Sequence, residues 1–268
     1  MVATRYALLT IGINYKGQAG ELGGCVNDSQ HLLRYFRARL GPQLRLVRQM
    51  VDTVPKSSPT YPSKANLEKA LLDLVAMCRR GKVRDVIVHY SGHGAQQRDA
   101  GADEADGLDE VLVPADHAQA GTITDDWLRS KVTEALPAHA SAFFLMDCCH
   151  SGTILDLKHR LEPASSGGGL RRTDNLTQGQ QPKAHVVSLS GCRDAQYSAD
   201  AWDAKYKASG AMTVSFLRVM QGKRGIVPLA HLLREMRDYL RSHGYDQVPE
   251  LMASHPNGRL RVFPLRKG

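Results

Sequence analysis

No stretch of this 268-residue chain holds the roughly 20 consecutive apolar residues that a membrane-spanning helix needs. The opening Met1-Val2-Ala3-Thr4-Arg5 lacks the basic-then-apolar layout of a secretory signal. Neither a membrane partner nor a secretory route is expected, and the reading is a cytoplasmic protein. Cysteine is scarce too: Cys25, Cys78, Cys148, Cys149 and Cys192 are five in number, with no paired spacing. An odd, unpatterned set points to thiols in a reducing compartment rather than a disulfide framework. No Cys-x-x-Cys occurs, so the commonest zinc spacing is missing, and no internal repeat is visible.

Charge is not short, but it is unevenly placed. With 35 Lys and Arg against 27 Asp and Glu, the net charge is +8. The basic residues are scattered over helical stretches such as Arg34-Tyr35-Phe36-Arg37-Ala38-Arg39 without any nucleic-acid motif, so specific nucleic-acid binding is not expected. Residues 99–126, by contrast, hold nine acidic residues and no Lys or Arg. An acidic stretch in a basic protein asks for a cation.

At 42% hydrophobic and 23% charged residues, the chain can build one sizeable α/β core. Residues 6–13 form a continuous apolar run, as in a strand buried on both faces. A helix opening at Asn27-Asp28 with Leu32, Leu33 and Phe36 inward, and a strand over Leu44–Val51, follow. Ser63 is placed to cap a helix whose stripe is Leu67, Leu71, Leu74 and Val75, and a third strand ends near His89. Thr124 is placed to cap a helix with Trp127, Leu128 and Val132, leading to another strand through Met146. Residues 158–183 turn to Ser, Gly, Asn, Gln and Pro and read as a flexible linker. Beyond it come a strand over residues 184–190, helices over Ala211–Gln221 and residues 228–243, and an apolar terminal segment at 260–264. The expected organisation is one domain: a large part (1–157), a cleavable linker (158–183) and a small part (184–268), both parts contributing to one largely parallel sheet.

Two short blocks carry the chemistry. His89-Tyr90-Ser91-Gly92-His93-Gly94 follows Val86-Ile87-Val88, and Asp147-Cys148-Cys149-His150-Ser151-Gly152 follows Ala142-Phe143-Phe144-Leu145-Met146. Both therefore sit at strand ends. Parallel strands direct their carboxyl ends at one crevice, where a thiol and an imidazole can meet as a Cys-His dyad. The glycines around His93 and after Ser151 let a substrate backbone approach and free amides for an oxyanion. The plain alternative is that Cys148 and Cys149 are small buried residues at a strand end. A cysteine phosphatase would place Arg six residues after the Cys, where Leu155 stands. A zinc site from Cys148, Cys149, His150 and an upstream His is disfavoured, because adjacent ligands at a strand end seldom reach one tetrahedral ion.

Together the two blocks resemble those of the metacaspases, Arg/Lys-directed relatives of the caspases. The resemblance extends to Gly24-Cys25-Val26-Asn27-Asp28, to Asp106-Gly107-Leu108-Asp109-Glu110 with Val113-Pro114-Ala115-Asp116, and to Ile123-Thr124-Asp125-Asp126. It implies a caspase-like α/β/α sandwich around a mainly parallel sheet, with His93 as base and Cys149 as nucleophile forming a thioester. It implies that Cys25, Asp28, Ser91 and Asp147 line the pocket for P1, the residue before the cut bond. Two carboxylates there favour Arg or Lys and repel Asp; on the residues alone, Asp28 reads as a carboxylate at a helix N-terminus. The resemblance further implies calcium, held by Asp109, Asp125, Asp126 and Asp156, oxygen ligands of the type that ion takes. Asp99, Asp103 and Glu104 read as a solvated surface. Lys158, Arg160, Arg171, Arg172 and Lys183 are candidate self-cleavage sites; Arg171-Arg172 beside the glycine run, or the vicinity of Lys158, is expected to be cut. A monomer acting on Arg/Lys-containing protein or peptide substrates is expected. Cys148 is expected to be a small buried residue, and Cys192 and Asp194 to lie near the cleft. The alternatives are a catalytically weak caspase-like scaffold that binds misfolded or aggregated proteins, and a related peptidase with another P1 preference.

Overall fold

The computed structural model describes residues 5–98, 108–148, 153–164, 169–174, 181–191, 200–203, 207–221, 223 and 227–255. The chain begins with β1 (Tyr6–Gly12), α1 (Cys25–Leu40), β2 (Leu44–Val51), α2 (Lys64–Arg79) and β3 (Asp85–Ser91). A small antiparallel sheet of β4 (Gly94–Arg98), β5 (Leu108–Leu112) and β6 (Ile123–Thr124) follows, with the short helices α3 (His117–Ala120) and α4 (Asp125–Leu128). Then come β7 (Ser141–Asp147), β8 (His159–Pro163), β9 (Leu170–Asp174), β10 (His185–Ser190), the hairpin of β11 (Asp200–Asp203) and β12 (Lys207–Gly210), α5 (Ala211–Gln221), α6 (Leu229–Ser242) and β13 (Glu250–Ala253).

The central sheet has eight strands in the order β2-β1-β3-β7-β10-β13-β8-β9. Its first five are mutually parallel, and β13, β8 and β9 extend it antiparallel. The strand before the expected linker and the strand after it, β7 and β10, are neighbours, so front and back parts share one sheet. Alternation along β3 separates two apolar layers. Val86, Val88 and Tyr90 face a core that includes α2 and Leu128 of α4, while Ile87 faces a core built from α1, α5 and α6. The caps expected from sequence form: Ser63 Oγ accepts the Asn66 N–H and Thr124 Oγ1 accepts the Trp127 N–H. No helix among the described residues is long and apolar enough to cross a membrane.

Three local expectations change. The acidic stretch contains strands β5 and β6, which pair with each other and with β4 just before it, and Val111, Leu112 and Ile123 are buried within it. The segment read as a flexible linker supplies β8 and β9. One apolar anchor, Leu161, buried to 1% exposure, and the ion pair of Glu162 with Arg237 secure β8 despite its polar surroundings. The final strand of the sheet is the four-residue β13, whereas residues 260–264 lie outside the described residues.

Candidate active site

The parallel register of β1, β3 and β7 brings Gly12, Ser91 and Asp147 side by side at one edge of the sheet. His93 stands two residues past this edge. Cys149, with His150, Ser151 and Gly152, lies outside the described residues, as do Cys192 and Asp194. Cys148 is fully buried in the core on the α2 side, so its thiol is a packing group.

The His93 ring is fixed from several sides. Its Nε2 lies 2.5 Å from the Gly20 carbonyl oxygen. A carbonyl only accepts, so Nε2 carries the proton and Nδ1 keeps the lone pair a base needs. Gly20 has φ of +79°, and a Cβ there would come within 3.0 Å of Nε2, which is why this turn needs glycine. Tyr15 packs against the imidazole with centroids 4.6 Å apart. Its Oη accepts the His93 backbone N–H at 2.9 Å and donates to the Val113 carbonyl at 2.6 Å. Tyr90 Oη donates to the His93 carbonyl at 2.8 Å. Burial holds both phenols well above their ordinary pKa, so they stay neutral. Tyr15 itself has φ of +54°, a conformation held by Asp52 Oδ2, which accepts the N–H groups of Asn14 and Tyr15 at 3.0 and 2.7 Å.

Beside His93 the residues expected to form the P1 pocket come together. Asp28 sits in the first turn of α1, one turn after Cys25, and both are buried. Ser91 Oγ donates to Asp28 Oδ2 at 2.7 Å, and the Gly210 N–H lies 3.0 Å from both Asp28 oxygens. Asp147 Oδ2 accepts from the Thr213 N–H at 2.9 Å and from Thr213 Oγ1 at 2.8 Å, at the start of α5. Each carboxyl thus faces a helix N-terminus, whose partial positive charge favours an anion. The packing is close: a Cβ on Gly210 would lie 2.2 Å from Asp147 Oδ2 and 3.0 Å from Asp28 Oδ2. Burial, and then the nearby Asp147, push the Asp28 carboxyl well above the usual carboxylate range. A cation brought against such a pair favours its ionised form, the proton passing to solvent.

The four expected calcium ligands are arranged as two pairs. Asp125, at the start of α4, accepts the N–H groups of Glu110 and Asp126. Burial, with a contribution from Asp109 on β5, raises its pKa to about 6. Asp126 and Asp156 are bridged by Arg129, whose Nη2 lies 2.7 Å from Asp126 Oδ1 and Nη1 3.1 Å from Asp156 Oδ2. Among the described residues no three acidic, histidine or cysteine side chains converge on one metal-sized position. The donor chemistry nonetheless fits a hard cation, since the oxygens are carboxylates and one cation, the guanidinium, is already accommodated. Thr153, which follows the Cys149-to-Gly152 block in sequence, donates from Oγ1 to Glu110 Oε2 at 2.7 Å.

Of the candidate self-cleavage residues, Arg171 and Arg172 are exposed, but they lie in β9, paired with Glu162 and Leu161 of β8, rather than in a free loop. Arg160 is in β8 and reaches Glu250 at 3.4 Å. Lys158 and Lys183 are exposed and precede strands. Sequence reasoning missed Tyr15, Gly20, Arg129, Gly210 and Thr213. Only the glycines left a trace, as breaks in otherwise regular patterns.

Residues 5–158 match the family model described as "Metacaspase, peptidase C14 domain". The chain belongs to the metacaspase family. It is 36% identical to Metacaspase-1 of Mycosarcoma maydis, covering 96% of this chain and 72% of that one. Against Metacaspase-1 of Arabidopsis thaliana it is 35% identical over 88% of this chain and 64% of the relative. Against Metacaspase-5 of Trypanosoma brucei brucei it is 32% identical over 97% and 53%. The metacaspase chain therefore spans from about half to nearly three quarters of these relatives. The family is one of cysteine peptidases that act on proteins, and residues 5–158 match its peptidase domain. Similar folds occur in a solved protein from Geobacter sulfurreducens (TM-score 0.64, 21% identity, 94% of this chain and 95% of that one) and in the Drosophila initiator caspase Dronc (0.57, 11%, 94% and 80%). The metacaspase has the caspase fold.

Proposed function

We propose that this metacaspase is a cysteine endopeptidase that cuts protein chains after Arg or Lys. The observation that carries the reading is the buried pair Asp28 and Asp147, gathered with Ser91 at the sheet edge that also presents His93. His93 Nδ1 takes the proton of the Cys149 thiol, and the thiolate sulfur attacks the carbonyl carbon of the P1 residue. The tetrahedral adduct collapses with loss of the amine, to which His93 returns the proton. Water, deprotonated by the same nitrogen, then cleaves the thioester and restores the thiol. Gly20 and Tyr15 hold the ring so that Nδ1, not Nε2, meets these protons.

A guanidinium or ammonium at P1 brings a positive charge against the desolvated acidic pair. A charge-assisted hydrogen bond contributes about 1.5–3 kcal/mol, so roughly 10- to 100-fold preference over a neutral side chain is expected. A P1 Asp would add a third carboxyl and be rejected. Calcium, when bound by Asp109, Asp125, Asp126 and Asp156, would supply charge that orders the segment following Cys149. Before those carboxylates can serve another cation, Arg129 must release Asp126 or Asp156. We place self-cleavage within residues 158–183, with Lys158 and Lys183 better exposed to attack than Arg171-Arg172, whose backbone is engaged in the β8–β9 ladder. The parts 1–157 and 184–268 would stay together after cleavage, because β7 and β10 are hydrogen-bonded neighbours. The charged, exposed edge strand β9 disfavours edge-to-edge pairing and supports a monomer.

The test is a panel of otherwise identical fluorogenic peptides ending in Arg, Lys, Asn or Asp, measured with calcium under reducing conditions. Turnover confined to Arg and Lys is expected. Comparable turnover of the Asp or Asn peptide would overturn the pocket assignment.

A further inference from the structure

His89, which opens the block leading to His93, has no part in the chemistry above. It is wholly buried on β3, and its i+2 neighbour Ser91 points to the same sheet face. Ser91 is the register partner of Asp147, so His89 and Asp147 both face the layer that contains α1 and α5. Thr213, at the start of α5 and 1% exposed, stands between them. Its Oγ1 is 2.8 Å from Asp147 Oδ2 and 3.5 Å from His89 Nε2.

Proton directions in this row follow from simple bookkeeping. Asp147 in its ionised form only accepts, so the Thr213 hydroxyl proton points at Oδ2 and the hydroxyl oxygen is left to accept. His89 Nδ1 is buried with no hydrogen-bond partner among the described residues. Burying an N–H with no acceptor costs more than burying a lone pair whose donor is missing, so the ring proton sits on Nε2 and points at Thr213. Burial lowers the His89 pKa to about 3, which keeps the ring neutral at ordinary pH.

We infer that His89 and Thr213 are positioning residues for the P1 pocket: a one-way donor chain, His89 Nε2–H to Thr213 Oγ1–H to Asp147 Oδ2, that fixes the direction and the ionised state of Asp147. A second donor on the same oxygen, the Thr213 N–H, completes the fixation. The inference deepens the P1 reading and rests on it. It assigns His89 a duty in specificity, separate from the acid-base duty of His93 in the same six-residue block.

The experiment compares the full chain with Thr213→Val, Thr213→Ser and His89→Leu, on peptides with Arg or citrulline at P1. Citrulline keeps the shape of Arg and removes the charge. Thr213→Val is expected to raise KM for the Arg peptide about tenfold, with kcat within about twofold and citrulline turnover unchanged. Thr213→Ser restores the wild-type values, and His89→Leu gives a rise of about threefold in the same direction. The acid limb of kcat/KM for the Arg peptide moves to higher pH in Thr213→Val, because Asp147 loses a donor that favours its ionised form, and less so in His89→Leu, where that donor stays but is no longer held in place. Independently of activity, the nitrogen-15 shifts of His89 in the folded chain are expected to report the Nε2–H tautomer. An unchanged KM in Thr213→Val, or a His89 proton on Nδ1, overturns the inference. Should the wild type fail to prefer Arg over citrulline, the P1 reading falls, and the donor chain is then decided by the nitrogen-15 tautomer alone.

Discussion

Two clusters of carboxylates lie on this molecule, and they are neutralised in different ways. Around Asp28 and Asp147 the described donors are neutral: the amides of Gly210 and Thr213 and the hydroxyls of Ser91 and Thr213. Around Asp126 and Asp156 the donor is a cation of the chain itself, Arg129. The first cluster is buried, and its Asp28 holds a proton above the usual carboxylate range because of that burial and of the nearby Asp147. The second holds a cation of the chain at rest. On the proposed reading, the first cluster meets its cation in the P1 side chain, whereas the second holds a cation of the chain that calcium would have to displace.

The largest effect that sharpens this contrast is expected at Asp147. Asp147→Asn should lower kcat/KM for Arg peptides by about 100-fold while leaving thermal stability within about 1 kcal/mol, because the buried group keeps its hydrogen-bonding shape. Equal losses for Arg and citrulline peptides would contradict a charge-specific role. Next comes Gly210→Ala, whose Cβ meets Asp147 Oδ2 at 2.2 Å. Overpacking of this kind costs about 1–3 kcal/mol, so a depressed melting temperature together with weakened Arg cleavage is expected. A variant as stable and as selective as the wild type would show that the two carboxyls are not packed under the start of α5.

The other half of the comparison is tested at Arg129. Its removal takes the guanidinium from Asp156, whose side chain is 1% exposed, and from Asp126. Breaking such a partly buried pair costs about 3 kcal/mol, so Arg129→Gln should unfold at lower temperature without metal. Added calcium should raise its melting temperature more than it raises that of the wild type, since the ion no longer competes with a guanidinium. Equal calcium shifts in both proteins would argue against that competition.

The smallest effect concerns pH. Asp28 has its folded pKa raised above the unfolded value. Its contribution to stability is therefore present in full below the ordinary carboxylate pKa and is lost as pH rises through the raised one. Asp28→Asn removes that dependence. Denaturant titrations across this window should show a fall for the wild type and a flatter curve for the variant; parallel curves would mean that Asp28 ionises normally.

What the sequence disclosed and what it withheld divide along the same physical line. Local signals were readable, since Ser63 and Thr124 cap the helices they precede and the apolar runs at 6–13 and 142–146 form strands. The family motifs named Asp28, Ser91 and Asp147 together, and they meet because parallel register puts Ser91 beside Asp147 and the Ser91 hydroxyl reaches Asp28 in the first turn of α1. Contacts that arise only when distant segments meet left little local trace. Tyr15 reaches His93 across 78 positions, and Thr213 reaches Asp147 across 66. Arg129 is hidden for a related reason: its partner Asp156 is 27 residues away. In the linker, a polar composition concealed β8 and β9, whose order rests on Leu161 and on the Glu162–Arg237 pair.

The most direct measurement is the rate of cleavage of a short fluorogenic Arg peptide by the wild type and by Cys149→Ala, each with and without calcium under reducing conditions. Turnover by the wild type that rises with calcium and vanishes in Cys149→Ala is predicted. Turnover that survives in Cys149→Ala, or none at all from the wild type with calcium present, would contradict the account.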